Sequence, residues 1–181
     1  LAQEGARVAT ASPTAGSRPI AVGHHRPVRV VGNEELAQSV DTSDDWIRSR
    51  TGIVTRHVSG DGEGVPELAT AAAHHALTSG GVDPASIDLV LVATTTSEQR
   101  SPNVAGVVAV DVGAGGAAVI DVNVACSGFV HALALADMSI RAGASRRALV
   151  IGSERLTAFT DPSDRSTCVL TADGAGAMVL D

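Results

Sequence analysis

The sequence is poor in aromatic side chains, in cysteine and in long apolar runs. Tyrosine is absent and aromatic residues make up 2% of the 181 residues, so Ala, Val, Ile and Leu must build the core. Two cysteines do not make a disulfide framework, and we expect reduced thiols and a cytoplasmic location. No apolar run approaches the ~18 residues of a membrane span. A net charge of −7 excludes general nucleic-acid binding, which needs a basic face. We therefore expect no membrane and no nucleic-acid partner.

Composition divides the chain into a lead-in and one domain. Residues 1–19 are rich in Ala, Ser, Thr, Gly and Pro without a clear period, which predicts a linker or a disordered lead-in. Residues 20–181 have the length of one ordinary domain. The chain opens on Leu and ends in a strand-like segment, so we expect it to be a piece of a longer protein.

Strand-like and helix-like segments alternate from Ile20 onward. Strands are predicted at 20–23, 87–96, 117–123, 147–154 and 174–181, and helices at 33–40, 42–50, 66–81, 104–111 and about 128–142. Asn33 and Ser43 are the predicted caps of the first two helices. Apolar runs without alternation are typical of strands buried on both faces of a parallel sheet. The order predicts an α/β fold with a mostly parallel central sheet flanked by helices.

Cys126 lies between a predicted strand and the helix that begins near Gly128. Reactive groups in parallel sheets gather at the carboxyl ends of strands. The free N–H groups of a helix N-terminus favour the thiolate, which is the nucleophile, and can hold a developing oxyanion. Position alone leaves a second interpretation open, because most free cysteines are small buried hydrophobic residues. Cys168, in "STCVLT", is predicted to lie in a core strand with a structural role.

Five segments together resemble one family. "DTSDDWIRSRTGI", "VATTTSEQRSPN", "DVNVACSGFVHALALAD", "DPSDRST" and "DGAGAMVL" occur in the order and spacing of the β-ketoacyl-acyl carrier protein (ACP) synthase III family, of the thiolase-like superfamily. The resemblance implies a layered thiolase-like fold built from two similar halves, of which residues 20–181 match the N-terminal one. It also implies transfer of an acyl group from acyl-CoA to the cysteine, followed by decarboxylative condensation with malonyl-ACP to start fatty-acid or polyketide synthesis.

The resemblance carries roles to four residues. Cys126 matches the acyl-accepting nucleophile, and Trp46, Arg50 and Arg165 match residues that bind coenzyme A, the ring against adenine and the cations against phosphates. Independently, Trp46 and Arg50 are four apart and share one face of a helix, and arginine pairs well with phosphate oxygens. The family implies no cofactor beyond the coenzyme A thioester substrate, no metal, and a homodimer in the full-length form.

The chain departs from the family in ways that keep alternatives open. The family's catalytic histidine and asparagine belong to the second half, and none of the six histidines lies in the matching motif. His131 is five residues after Cys126, but we expect it to point away from the thiol. Ser101 replaces a bulky residue that reaches the partner's acyl pocket, which favours longer or branched acyl groups. Thr171 and Ala172 replace an aromatic residue and a glycine. The alternatives are a non-catalytic half that pairs with another chain, and a secondary-metabolism acyltransferase that uses the same cysteine.

Overall fold

A computed structural model describes residues 16–181, and residues 1–15 of the predicted lead-in lie outside them. The strands are β1 (Pro19–His25), β2 (Arg29–Gly32), β3 (Thr55–Val58), β4 (Leu89–Ala93), β5 (Ala118–Val122), β6 (Ala148–Arg155) and β7 (Asp173–Leu180). The helices are α1 (Asn33–Leu36), α2 (Asp44–Thr51), α3 (Val65–Gly80), α4 (Val104–Asp111), α5 (Gly128–Arg141) and α6 (Arg165–Cys168). None of the helices in this described part has the length and apolarity that a bilayer crossing requires.

The central sheet has the strand order β1-β7-β6-β4-β5, and β2 and β3 form a separate two-stranded antiparallel sheet. β4 is parallel to β5 and β6, whereas β7 is antiparallel to both of its neighbours, β6 and β1. Only β7 therefore runs against the other strands of this sheet, which makes the sheet mixed and mostly parallel. All five residues of β4 are buried, as its unbroken apolar run predicts.

Helices cover both faces of the sheet. Val90 and Val92 of β4 pack into a core with α3 and α4, while Leu89 and Leu91 pack on the opposite face with α5. This alternation follows from the two-residue period of a strand. The predicted layered α/β fold is thereby confirmed.

The helices with clear capping residues at their ends were predicted accurately. Ser43 caps α2 by accepting a hydrogen bond from the Trp46 N–H at 3.1 Å. α3 ends at Gly80 and is capped by Gly81, whose φ of 60° is left-handed. The observed bounds of α4 match the prediction, and those of α5 match it to within one residue. β1 begins at Pro19, one residue before the predicted domain boundary.

Two local predictions are wrong, one because tertiary contacts engage a predicted cap and one because a local cap begins a helix. Asn33 does not cap α1; it is buried, donates to the Ile53 carbonyl and the Asp44 carboxylate, and accepts from Arg56. α1 accordingly ends at Leu36 instead of reaching residue 40. The segment around Cys168 is the short helix α6 instead of a strand, because Asp164 caps its first turn through the Ser166 N–H.

Candidate active site

Cys126 is an exposed thiol in a short 3-10 turn, Ala125–Ser127, between β5 and α5. Ala125 has a φ of 48°, and it is the one non-glycine residue with positive φ in residues 16–181. A left-handed conformation costs energy for a residue with a Cβ, and such strain concentrates at functional sites. No side chain caps α5 at Ser127, whose hydroxyl instead donates to the Val124 carbonyl at 2.8 Å. The sharp turn thus places Cys126 directly before the N-terminus of α5.

The thiol opens into a cleft of about 240 Å³. The cleft is bounded by the last residue of β4, the start of α5 and the first part of β7, together with Gly152, Ser153 and Glu154 of β6. β4 and β6 are parallel neighbours, so the cleft lies at the carboxyl ends of parallel strands. The structure places Cys126 where the sequence predicts it.

Glycines allow the walls of this cleft to approach closely. A Cβ at Gly128 would lie 3.0 Å from the Cβ of Ala93, so the first turn of α5 rests directly on the end of β4. A Cβ at Gly152 would lie 3.4 Å from Cδ2 of Phe129, whose ring covers β6 at that point. The position of Cys126 is therefore fixed by backbone packing on both strands.

The structure brings together the three residues predicted to bind coenzyme A. The guanidinium carbon of Arg50 lies 4.5 Å from the centre of the Trp46 ring, and that of Arg165 lies 4.2 Å from it. An apolar cluster of Ile47, Cys168 and Val169 packs α2 against α6, and Trp46 lies at its edge. Two cations and an indole thus share one surface, which is a suitable grip for a nucleotide phosphate and base.

Cys168 belongs to the core beneath this surface. It is 6% exposed, and burial raises the pKa of its thiol, with the Asp164 charge acting in the same direction and Arg56 opposing it. A buried thiol held in the neutral form is a poor nucleophile. The burial of Cys168 agrees with the structural role predicted for it. The predicted strand is wrong, because Cys168 lies in α6.

The other side chains considered from the sequence lie outside the Cys126 cleft. His131 Nδ1 contacts the Ser127 carbonyl oxygen at 2.9 Å, and His131 is absent from the described residues that line the cleft. Thr171 lines a separate cavity of about 280 Å³ beside Arg56 and Cys168. Ser101 lies exposed on the surface, in the loop that precedes α4.

Sequence reasoning missed two carboxylates near the site. Asp121 of β5 accepts from the Val104 and Ala105 N–H groups at 2.9 and 2.8 Å, and so caps α4 from a neighbouring strand. Glu154 lines the cleft and accepts hydrogen bonds from Thr94, Thr95 and Thr96. Both carboxylates lie in or at the end of an apolar strand-like run, where an unpaired charge would cost free energy. This pattern could have indicated that each carboxylate has hydrogen-bond donors nearby.

Comparison with known proteins agrees with the motifs. Residues 120–181 match the family described as 3-oxoacyl-[acyl-carrier-protein (ACP)] synthase III. The chain is 60% identical over 166 residues to β-ketoacyl-[acyl-carrier-protein] synthase III 2 of Streptomyces avermitilis, which covers 92% of the chain and 53% of that protein. It is 48% identical to a synthase III of Novosphingobium aromaticivorans, over 88% of the chain and 49% of the relative.

Solved structures give the same result. The 3-oxoacyl-[acyl-carrier-protein] synthase III of Aquifex aeolicus superimposes with a TM-score of 0.88 at 42% identity, over 91% of this chain and 53% of that one. The priming β-ketosynthase of the R1128 polyketide pathway superimposes with a TM-score of 0.88 at 41% identity, over 91% and 49%. The chain is similar to β-ketoacyl-ACP synthases III and spans about half the length of the relatives that it matches.

Proposed function

We propose that this chain accepts an acyl group from acyl-CoA on Cys126, as the first half-reaction of a β-ketoacyl-ACP synthase III. The observation that carries the proposal is the exposed Cys126 thiol at the uncapped N-terminus of α5, inside a cleft at the carboxyl ends of β4 and β6. A thioester is attacked by an ionised sulfur, and backbone N–H groups at a helix start stabilise both that sulfur and the oxyanion that follows.

The transfer step uses the residues of the cleft. The Cys126 sulfur attacks the thioester carbonyl carbon and forms a new carbon–sulfur bond. The tetrahedral oxyanion collapses, the bond to the coenzyme A sulfur breaks, and coenzyme A leaves as a thiolate that takes up the proton lost by Cys126. The cleft of about 240 Å³, lined largely by alanine and glycine, leaves room for the approaching thioester. The product is an acyl-enzyme that keeps the thioester energy for a later step.

The surface formed by Trp46, Arg50 and Arg165 would hold the nucleotide end of coenzyme A. Guanidinium groups pair with phosphate oxygens in fork geometry, and the indole offers a stacking plane for adenine. Because both arginines lie against the ring, an adenine that stacks on a covered face must displace a guanidinium, which then becomes available to the phosphates.

The condensation step belongs to a longer protein. We propose that malonyl-ACP loses CO₂ there and that its carbanion attacks the acyl-Cys126 thioester, with the family's histidine and asparagine supplied by a second half. The relatives are named β-ketoacyl-[acyl-carrier-protein] synthase III and, in one case, priming β-ketosynthase of a polyketide pathway, and we propose that the product starts fatty-acid or polyketide synthesis. We further propose a cytoplasmic homodimer for the complete enzyme, with no cofactor and no metal.

A two-stage assay separates this proposal from its alternatives. The chain is given acyl-CoA and then malonyl-ACP, while release of coenzyme A thiol and of CO₂ is measured. We expect one equivalent of coenzyme A per chain and no CO₂ from this chain, and both products from a chain extended by a second half. Coenzyme A release without CO₂ from the extended chain would indicate an acyltransferase that does not condense. Neither product, with Cys126→Ala indistinguishable from the unaltered chain, would indicate a non-catalytic half.

A further inference from the structure

A single carboxylate joins the ends of the two strands that bound the Cys126 cleft. Glu154 lies near the end of β6, which extends beyond the last ladder pair between β4 and β6, Ala93 and Gly152. Its side chain reaches across to the segment that follows β4. The Thr95 N–H donates to Oε1 at 2.8 Å, and the Thr96 hydroxyl donates to Oε2.

Three consecutive threonines surround this carboxylate. The Thr95 hydroxyl donates to Oε1 at 3.2 Å, and the Thr94 hydroxyl approaches Oε2 at 3.5 Å. Thr94 and Thr96 are buried, at 6% and 3% exposed, whereas Thr95 is exposed and Glu154 is half-buried. Thr96 Oγ1 also accepts from the Arg155 N–H at 2.8 Å, which ties the same two segments a second time. We call Glu154 with Thr94–Thr96 the strand clamp.

The strand clamp lies next to the nucleophile in two ways. Glu154 itself lines the cleft with Cys126. Thr94 directly follows Ala93. Gly128, at the start of α5, packs on Ala93 so closely that a Cβ at Gly128 would lie 3.0 Å from the Ala93 Cβ. Movement of the 94–96 segment would therefore shift Ala93, then the first turn of α5, and with it the thiol.

We infer that Glu154 is a positioning residue for acyl transfer, which rests on the proposed function, and that the strand clamp fixes the attack geometry of Cys126. A charge-assisted network of this kind holds its members more tightly than neutral hydrogen bonds do. Displacement of a reacting group by about 1 Å lowers a rate by up to about a hundredfold. The strand clamp thus determines the rate of transfer at saturating acyl-CoA. The surface formed by Trp46, Arg50 and Arg165 would instead determine how tightly acyl-CoA binds.

The test compares two reactions of the same thiol in Glu154→Gln. Transfer from acyl-CoA needs the cleft geometry, whereas alkylation by iodoacetamide needs only an accessible thiolate. We expect Glu154→Gln to lower the transfer rate at saturating acyl-CoA about tenfold, with the KM for acyl-CoA and the alkylation rate changed by less than about twofold. Glu98→Gln is the matched control, because it makes the same chemical change two residues after Thr96 but removes only a surface ion pair with Arg155.

The outcomes separate this inference from the proposed function. Equal losses in transfer and alkylation, or no loss in either, would overturn the positioning role. If Glu154→Gln does not fold, Thr95→Val decides, since it removes one hydroxyl donor and keeps the main-chain bond to Oε1. We expect about a threefold loss of transfer there, and an unchanged rate would overturn the inference. Absence of transfer in the unaltered chain would instead remove the proposed function itself.

Discussion

The Arg165 guanidinium lies 4.2 Å from the centre of the Trp46 ring, although the two residues belong to helices far apart in the sequence. Packing of Ile47 of α2 against Cys168 and Val169 creates this relationship. Because the cluster carries the ring and a cation on a common surface, the proposed recognition of a nucleotide would depend on the correct docking of α6 on α2.

Arg165→Gln should weaken the use of acyl-CoA without affecting a donor that lacks the nucleotide. Loss of a cation–π contact and of a charge-assisted phosphate contact should raise the KM for acyl-CoA about tenfold. Transfer from an acyl-N-acetylcysteamine thioester, which has no nucleotide, should keep its rate. Arg48→Gln is the control, because Arg48 lies on α2 with Trp46 but pairs with Asp44 at 2.6 Å. Equal losses with both donors would show that Arg165 does not contact the nucleotide.

Asp88 should make stability fall in acid. Burial raises the pKa of its carboxyl, but hydrogen bonds from the Ser145 hydroxyl and from the Arg146 and Arg147 N–H groups outweigh burial and lower the pKa below the ordinary 3.8. A carboxyl with a lowered folded-state pKa stabilises the fold above the unfolded-state value, and that stabilisation is lost as pH falls through the folded-state pKa. The free energy of unfolding should therefore decrease as pH falls below about 4.

The variant Asp88→Asn isolates this contribution. We expect it to lower the free energy of unfolding by about 1 kcal/mol at pH 7 and to flatten the acid limb of the stability curve, measured by urea unfolding at several pH values. Asp61→Asn, in an exposed turn, should leave the curve as it is. An acid limb as steep in Asp88→Asn as in the unaltered chain would assign the effect to other carboxylates.

Gly23 should tolerate no side chain. A Cβ there would lie 2.5 Å from the Ala72 carbonyl oxygen and would also meet the backbone of Ala76, because β1 packs directly on α3. Overpacking against backbone atoms should cost Gly23→Ala about 1–3 kcal/mol of unfolding free energy. Gly115→Ala is the control, since a Cβ at Gly115 meets nothing within 4 Å. If Gly23→Ala and Gly115→Ala unfolded at the same urea concentration, β1 and α3 would not be packed as closely as this.

Ser101 should control the length of the acyl group in a dimeric enzyme. The resemblance places this position at the partner's acyl pocket, where a small side chain leaves space. The full-length protein should transfer branched or longer acyl groups at least as fast as acetyl, and Ser101→Phe should restore a preference for acetyl. A strict acetyl preference in the unaltered protein would contradict this expectation.

Local signals decided which elements could be predicted from the sequence. α3 has Pro66 in its first turn and Gly81 at its end, and β4 is an unbroken apolar run, so both were predicted with their correct type. These signals act within a few residues and do not depend on the rest of the fold. The motifs likewise led to Cys126, Trp46, Arg50 and Arg165 before any contact was known.

Long-range contacts decided the rest. Asn33 has the composition of a helix cap, but Arg56 and Ile53 engage its side chain in the core. Glu154 cannot be linked to Thr94–Thr96 until β6 is known to pair with β4, because nothing in the local sequence states that pairing. The sequence therefore predicts the types of the elements more accurately than the partners of individual side chains.

The most direct test of the account is peptide-resolved mass spectrometry after incubation with acyl-CoA. All 13 basic residues are arginines, so no lysine amine competes for the acyl group, and the only other thiol is the buried Cys168. We expect one acyl group per chain, carried by Cys126 and absent from Cys126→Ala. An unmodified Cys126, or an adduct divided equally between Cys126 and Cys168, would contradict it.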